Sequence, residues 1–271
     1  MGLHSEIIEL FDLSGKVALV TGGARDFGFE LGCALTAAGA DLVITSRTLT
    51  EAEKSADELA KTYSHDILPL EMDQSEFSSV SAMAESAHAW KGHIDILVNN
   101  AGGNSWDKGA RDLLERDPQA IRAMVDANLS GVLYCCKEVG KHMAAQGSGK
   151  IVNIASMAGL VGRDRRMYQR SGLPEQPVDY AAVKAGVIGM TRDLAGYFAP
   201  KGVYVNAISP GGFERGQPQA FIDAYSDSTP LGRMGRDGID LKGAVLFLSS
   251  AASDYVTGHN LVVDGGFAMW K

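Results

Sequence analysis

Apolar positions recur along the chain with two spacings. Seven short runs, Val17–Thr21, Asp41–Thr45, Ile67–Leu70, Ile94–Val98, Lys150–Ile154, Tyr204–Ile208 and Asn260–Val263, are rich in β-branched residues and mostly apolar throughout. That is the pattern of strands buried on both faces. Between them apolar residues return with helical period, best developed over Gly28–Ala38, Glu51–Tyr63, Ser78–Trp90, Pro118–Gln146, Asp179–Phe198 and Leu241–Ser249. Strand and helix alternate nearly end to end, with no low-complexity linker or internal repeat. The alternation predicts one α/β domain over residues 1–271: a doubly wound parallel sheet of about seven strands with helices on both faces. Two stretches interrupt it. Arg163–Val178 is polar and carries Arg163, Arg165, Arg166 and Arg170, and Gly211–Thr229 is irregular. Each follows a predicted strand, so both are expected at the carboxyl edge of the sheet, where open α/β folds bind ligands.

Composition narrows the class. With 25 basic and 33 acidic residues the net charge is −8, which argues against a nucleic-acid partner. Glycine stands out at 32 of 271 residues, about 12% against a usual ~7%, and is expected at turns and close backbone approaches. Three cysteines, two of them adjacent (Cys135 and Cys136), cannot form a disulfide framework and point to a reducing, cytoplasmic setting. No apolar run approaches the ~18 residues of a membrane span, so no membrane association is expected. The first eleven residues include Glu6 and Glu9 without a basic start and do not read as a secretion signal. The six histidines show no ligand spacing, so no catalytic metal is expected.

The first predicted strand runs into Thr21-Gly22-Gly23-Ala24-Arg25-Asp26-Phe27-Gly28 and then a helix. Glycines at such a turn let the backbone approach a diphosphate lying on the helix N-terminus; the alternative is an ordinary turn with glycines for packing. The second strand ends at Ser46-Arg47. In dinucleotide folds an acid here grips the ribose 2′-hydroxyl, whereas an arginine accommodates a 2′-phosphate. The acid is absent, while Arg47 and Arg25 are present, so NADP(H) is favoured over NAD(H).

Tyr180 and Lys184 are four residues apart on a predicted helix, hence on one face. A tyrosine with an ordinary pKa of ~10 is a poor acid–base group. A neighbouring ammonium favours the phenolate and brings that pKa toward working pH. Ser156, just after a predicted strand, could hydrogen-bond a substrate oxygen.

Together these motifs resemble the short-chain dehydrogenase/reductase family from about Leu13 to Phe267. The resemblance is carried by Thr21-Gly22 with Gly28, Asp73, Asn99-Asn100-Ala101-Gly102, Asn128, Ser156, Tyr180 with Lys184, Pro210-Gly211 and Val263-Asp264-Gly265-Gly266. The wording is most similar to gluconate 5-dehydrogenase-like members, notably over Leu10–Lys16. The resemblance implies a Rossmann fold in which Tyr180 is the general acid/base and Lys184 binds the nicotinamide ribose. Ser156 would orient the substrate and Asn128 would hold a relay water. Asp73 and Gln74 would lie near adenine, Asn99, Ala101 and Gly102 along the adenosine side, and Pro210, Gly211 and Phe213 at the nicotinamide. Gly22, Arg25, Asp26, Phe27, Gly28, Ser46 and Arg47 would form the phosphate end. Arg163, Arg166 and Gly212 join Ser156 and Tyr180 as substrate candidates, since arginines can grip a carboxylate or phosphate with two hydrogen bonds. The alternative for that loop is a solvated arginine-rich surface. Family members usually assemble as homotetramers through the two long helices.

Three departures stand out. Asp26 replaces the middle glycine of the turn, where a carboxylate is unfavourable beside a diphosphate; it is expected to cap the following helix or to pair with Arg25. Ser156 and Tyr180 are 24 positions apart, about twice the family's usual spacing, because of the Arg163–Val178 insertion. Tyr168 has the more usual spacing, but Gly172 rather than lysine follows it. The threonine after Pro-Gly is missing from Gly211-Gly212-Phe213-Glu214-Arg215-Gly216, so backbone groups near Phe213 are expected to replace it. The activity expected is reversible oxidation of a secondary alcohol, on a sugar, sugar acid or polyol. The alternatives are a 3-oxoacyl thioester reductase and a dinucleotide-binding protein with little catalysis.

Overall fold

The structure, a computed structural model, describes residues 4–103 and 111–270. The strands are β1 (Val17–Val20), β2 (Asp41–Ser46), β3 (Ile67–Glu71), β4 (Ile96–Asn99), β5 (Gly149–Ile154), β6 (Val203–Pro210), a short pair β7 (Phe213–Glu214) and β8 (Gly235–Arg236), and β9 (Asn260–Val263). Among the described residues, seven of them form one parallel sheet in the order β3-β2-β1-β4-β5-β6-β9, as the sequence predicts. Chain direction across the sheet reverses between β1 and β4, paired Ala18 to Ile96 and Val20 to Val98. The carboxyl end of that seam is where a doubly wound fold opens its ligand crevice.

Alternate residues of the apolar strands serve opposite faces. Leu19, Val43, Leu97 and Ile151 pack with α4 (Phe77–Lys91), α6 (Gly131–Gln146) and α8 (Val178–Phe198). Val20, Ile44, Val98 and Val152 pack with α2 (Asp26–Ala37), α3 (Leu49–Tyr63) and α10 (Lys242–Ser249). Each such side chain, fully buried, contributes ~1.5–3 kcal/mol. A helix α1 (Ser5–Phe11) precedes the sheet and buries none of its residues. No described helix is long and apolar enough to cross a membrane.

The two stretches without period each hold a helix. α7 (Arg165–Ser171) starts where Asp164 Oδ1 accepts from Arg166 N at 3.0 Å, ends at Gly172, and buries Met167. α9 (Gln219–Asp227) buries Phe221 and Tyr225 on one face. The two helices meet in a third apolar cluster with Met157, Met234 and Phe267, set apart from the two sheet cores. The predicted helix Pro118–Gln146 is interrupted. It comprises α5 (Pro118–Val125), a π-helical turn over Asp126–Ser130, and α6. Hydrophobic period cannot register that interruption, because the chain stays helical through it.

Candidate active site

The glycine-rich turn is built by close approach. Gly22 has φ +63°, and a side chain on Gly28 would place its Cβ 2.1 Å from the Gly22 oxygen. Thr21 Oγ1 accepts from the backbone N–H groups of Asn100 and Ala101 at 3.0 and 2.9 Å, and Asn100 Nδ2 donates to the Thr21 oxygen at 3.0 Å. The turn is thereby bolted to the loop after β4. Arg25 occupies the cap position of α2 without a side-chain cap, so the first amides of α2 have no capping side chain. Open amides reached through glycines are the donors a dinucleotide diphosphate requires, so the residues present fit such a cofactor.

Asp26 neither caps α2 nor pairs with Arg25, contrary to expectation. It adopts a left-handed φ of +52°, a region aspartate tolerates better than most residues, and its carboxylate lies 3.6 Å from Arg215 Nη1. At the end of β2, Ser46 Oγ donates to Glu51 Oε2 at 2.7 Å. The Glu51 carboxyl is held below its ordinary pKa by that bond first, then by Thr48 and the nearby charges of Arg25 and Arg47. Arg25 and Arg47 thus both lie within electrostatic reach of Glu51. Between α2 and α3 lies a cleft of about 450 Å³ lined in part by Arg25, Asp26, Glu51 and Lys54.

Two candidates point elsewhere. Gln74 is buried, and its Nε2 donates to the Ala101 and Ala127 oxygens at 2.9 and 2.7 Å. Asn99 Nδ2 donates to Asn153 Oδ1 at 2.8 Å. Their side chains are struts beneath the crevice rather than contacts within it. Apolar surroundings leave an amide side chain no favourable choice but an internal partner. Asp73 is exposed, and its Oδ1 accepts from Ser75 N and Oγ.

Around Tyr180 the catalytic candidates come together. Ser156, two residues after β5, lies close enough to the Tyr180 phenol to lower its pKa, while its Oγ accepts from Ala158 N at 3.1 Å. The α7 insertion therefore does not separate the pair; it loops out and returns. Burial holds the Tyr180 pKa above its ordinary value, and nearby Ser156 and the Arg163 guanidinium offset part of that rise. Lys184 is buried one helical turn further on, and its Nζ donates to the Ile154 oxygen at 2.7 Å. Burial lowers its pKa to about 8. Two cations flank Tyr180: the Arg163 guanidinium and the Lys184 ammonium each lie 5.9 Å from the centre of its ring, with Lys184 also held against the β5 backbone. Arg163 is fixed by Gln176 Oε1 at 3.0 Å and the Pro177 oxygen at 2.9 Å. Arg166 is not brought to the site: its fork is taken up by Asp164 on the surface.

Asn128 lies in the π-helical turn, a feature frequent at functional sites. Its Nδ2 donates to the Met124 oxygen at 3.1 Å, and its Oδ1 accepts from Gly103 N at 2.7 Å. A Cβ on Gly102 would stand 2.7 Å from that same Oδ1. On the far side, Pro210 ends β6, Gly211 N donates to the Val263 oxygen, and Gly212 N donates to the Tyr225 hydroxyl at 2.6 Å. Phe213 is buried edge-on to Phe27, with ring centroids 4.9 Å apart. Sequence reasoning missed Tyr225 and also Arg116. The Arg116 guanidinium donates twice to Asp179 Oδ2, at 2.9 and 2.7 Å, and so pins the start of α8 one residue before Tyr180. Arg116 lies outside any periodic segment, so nothing in the pattern singles it out.

The sequence model of a family described as enoyl-(acyl carrier protein) reductase matches residues 22–268. A short-chain type dehydrogenase/reductase from Mycobacterium marinum superposes with a TM-score of 0.85 at 34% identity, covering 96% of this chain and 98% of that one. The chain belongs to the short-chain dehydrogenase/reductase family. Within it, an NADP-dependent mannitol dehydrogenase of Hypocrea jecorina is 36% identical over 97% of this chain and 96% of its own. A gluconate 5-dehydrogenase of Burkholderia cenocepacia, solved with NADP and tartrate, is 34% identical with a TM-score of 0.87 and covers 97% of this chain and 99% of that one. These short-chain dehydrogenases are oxidoreductases.

Proposed function

We propose that the protein is an NADP(H)-dependent oxidoreductase that interconverts a secondary alcohol and a ketone on a sugar, sugar acid or polyol. The observation that carries this reading is the pairing of Tyr180 with buried Lys184, whose Nζ donates to the Ile154 oxygen at 2.7 Å and lies 5.9 Å from the centre of the Tyr180 ring. When bound, the nicotinamide accepts or returns the hydride. The chain supplies the remaining chemistry. Ser156 orients the substrate oxygen, and Tyr180 takes or gives the hydroxyl proton at its phenol oxygen. Lys184 holds the nicotinamide ribose and Asn128 positions a water for proton exchange. Arg163 favours the phenolate and presents a cation to an acidic substrate. The open α2 amides take the diphosphate, and Arg25 and Arg47 take the 2′-phosphate. The segments at 163–178 and 211–229 wall the substrate pocket.

The sugar assignment draws on the mannitol and gluconate dehydrogenases among the relatives. The second reading, a 3-oxoacyl thioester reductase, draws on the acyl-carrier description of the matching family. A homotetramer in the cytoplasm completes the proposal, with exposed Leu133 on α6 available to a second copy. Oxidation of a panel of sugars, sugar acids and polyols, run with NADP⁺ and NAD⁺ beside reduction of a 3-oxoacyl thioester, tests the assignment. Turnover of the thioester alone would reject the sugar reading. Arg47→Ala should weaken NADPH binding at least tenfold more than NADH binding; equal losses would reject 2′-phosphate recognition.

A further inference from the structure

Two positions where the chain departs from its family meet in space. Asp26 takes the place of a glycine and retains a left-handed φ of +52°, a conformation that disfavours residues other than glycine. Arg215 lies in the stretch after β6 from which the family's threonine is missing. Arg215 Nη1 is 3.6 Å from Asp26 Oδ1. Its Nε and Nη2 hold Asp237 Oδ2 and Oδ1 at 2.9 and 2.7 Å. The guanidinium also covers the Phe27 ring, 3.9 Å from its centroid, and Phe27 in turn meets Phe213 edge-on. The loop carrying Arg215 is stiffened from within: Arg215 N donates to Gln217 Oε1 at 2.7 Å, and Gln217 Nε2 donates to the Phe213 oxygen at 2.9 Å. One arginine therefore joins the phosphate turn, through Asp26 and Phe27, to the loop at the nicotinamide side, through its own backbone and Asp237.

We propose that Asp26, Arg215 and Asp237 form a clasp between the glycine-rich turn and the loop after β6, and that this clasp limits how fast the dinucleotide leaves. The inference rests on the dinucleotide reading above. The guanidinium covers the ring of Phe27, a residue of the first turn of α2, and that turn has no capping side chain. A diphosphate received there meets a cation anchored on both sides, and Asp26 acts as an anchor for that cation rather than as a bare repelling charge. The planar, always charged guanidinium suits this double role, because it can pair with a carboxylate in its plane and stack on an aromatic ring through its face.

Release of NADPH, followed by its fluorescence in stopped flow, tests the clasp in the wild type, Asp26→Gly, Arg215→Leu and the double variant. Glycine suits the backbone at position 26, so Asp26→Gly should fold. Hydrogen exchange of residues 213–217 in the cofactor-free protein gives a second readout, with β5 amides as the folding control. The clasp predicts release about fivefold faster in Asp26→Gly and at least as fast in Arg215→Leu. It predicts a double variant no faster than Arg215→Leu, and faster exchange at 213–217 in Asp26→Gly. Slower release from Asp26→Gly, the result expected of a merely repelling carboxylate, would overturn it. So would multiplicative effects in the double variant or unchanged loop exchange. Wild type that binds no NADPH would reject the dinucleotide reading and the clasp together. Tight binding with one release rate across all four proteins would reject the clasp alone.

Discussion

Replacing Lys184 by methionine should abolish turnover and yet stabilise the cofactor-free protein. The ammonium is buried, with the Ile154 oxygen as its acceptor at 2.7 Å, and burial lowers its pKa from an ordinary 10.5 to about 8. At ~1.4 kcal/mol per pH unit, holding that charge in the fold costs about 3 kcal/mol below pH 8. Methionine fills a similar volume without the charge, and stranding the Ile154 oxygen returns ~1 kcal/mol of that gain. The variant should therefore be about 2 kcal/mol more stable at pH 7. The pH dependence has a definite sign. Below pH 8 folded and unfolded chains both carry the proton, so the folded state bears the whole cost. Between pH 8 and 10.5 the unfolded chain binds more protons than the folded one, and wild-type stability climbs with pH; above 10.5 both are neutral. The variant lacks this climb, so its advantage should shrink across that window and turn into a deficit of ~1 kcal/mol. Urea unfolding at pH 7, 9 and 10.5 measures this directly, with unchanged m-values confirming that midpoint shifts report stability. A variant less stable than wild type at pH 7, or a difference that does not move with pH, would refute the reasoning.

Removing the Arg163 charge should raise the Tyr180 pKa, since that guanidinium pulls it down. The pH profile of kcat/KM for alcohol oxidation should move to higher pH in Arg163→Met and return most of the way in Arg163→Lys; an unmoved profile would refute the assignment. Gly28→Ala drives a Cβ to 2.1 Å from the Gly22 oxygen, so urea unfolding should show a loss of ~1–3 kcal/mol and titration a weaker NADPH affinity. Wild-type affinity in that variant would show that the close approach is dispensable.

The sheet was legible because its strands are short, apolar and β-branched, and each falls within two residues of its expected bounds. Tyr180 and Lys184 could be singled out because side-chain chemistry and a four-residue helical spacing coincide in them, whereas Asn128 rests on the family resemblance and Ser156 lies at an unusual distance from Tyr180. Other features depend on contacts across the fold that no local pattern encodes. Gln74 and Asn99 sit in motif positions, yet they turn inward because buried carbonyls and Asn153 lie within reach. Arg166 is drawn to the Asp164 cap two residues away. α7 and α9 are too short, with too few buried residues, to show a period, although Asp164, Gly172 and Pro218 mark their ends. The partner of Asp26 is 189 positions away in Arg215, beyond the reach of any spacing argument.

The central claim is that the Tyr180 phenol moves the substrate proton while other groups hold the cofactor. Tyr180→Phe removes one oxygen from a partly buried ring and leaves the glycine-rich turn untouched. Turnover of the best substrate from the sugar and polyol panel should fall by at least a thousandfold, on the scale of a lost general acid–base group, with NADPH binding unchanged in a fluorescence titration. Turnover retained within tenfold of wild type would contradict the account.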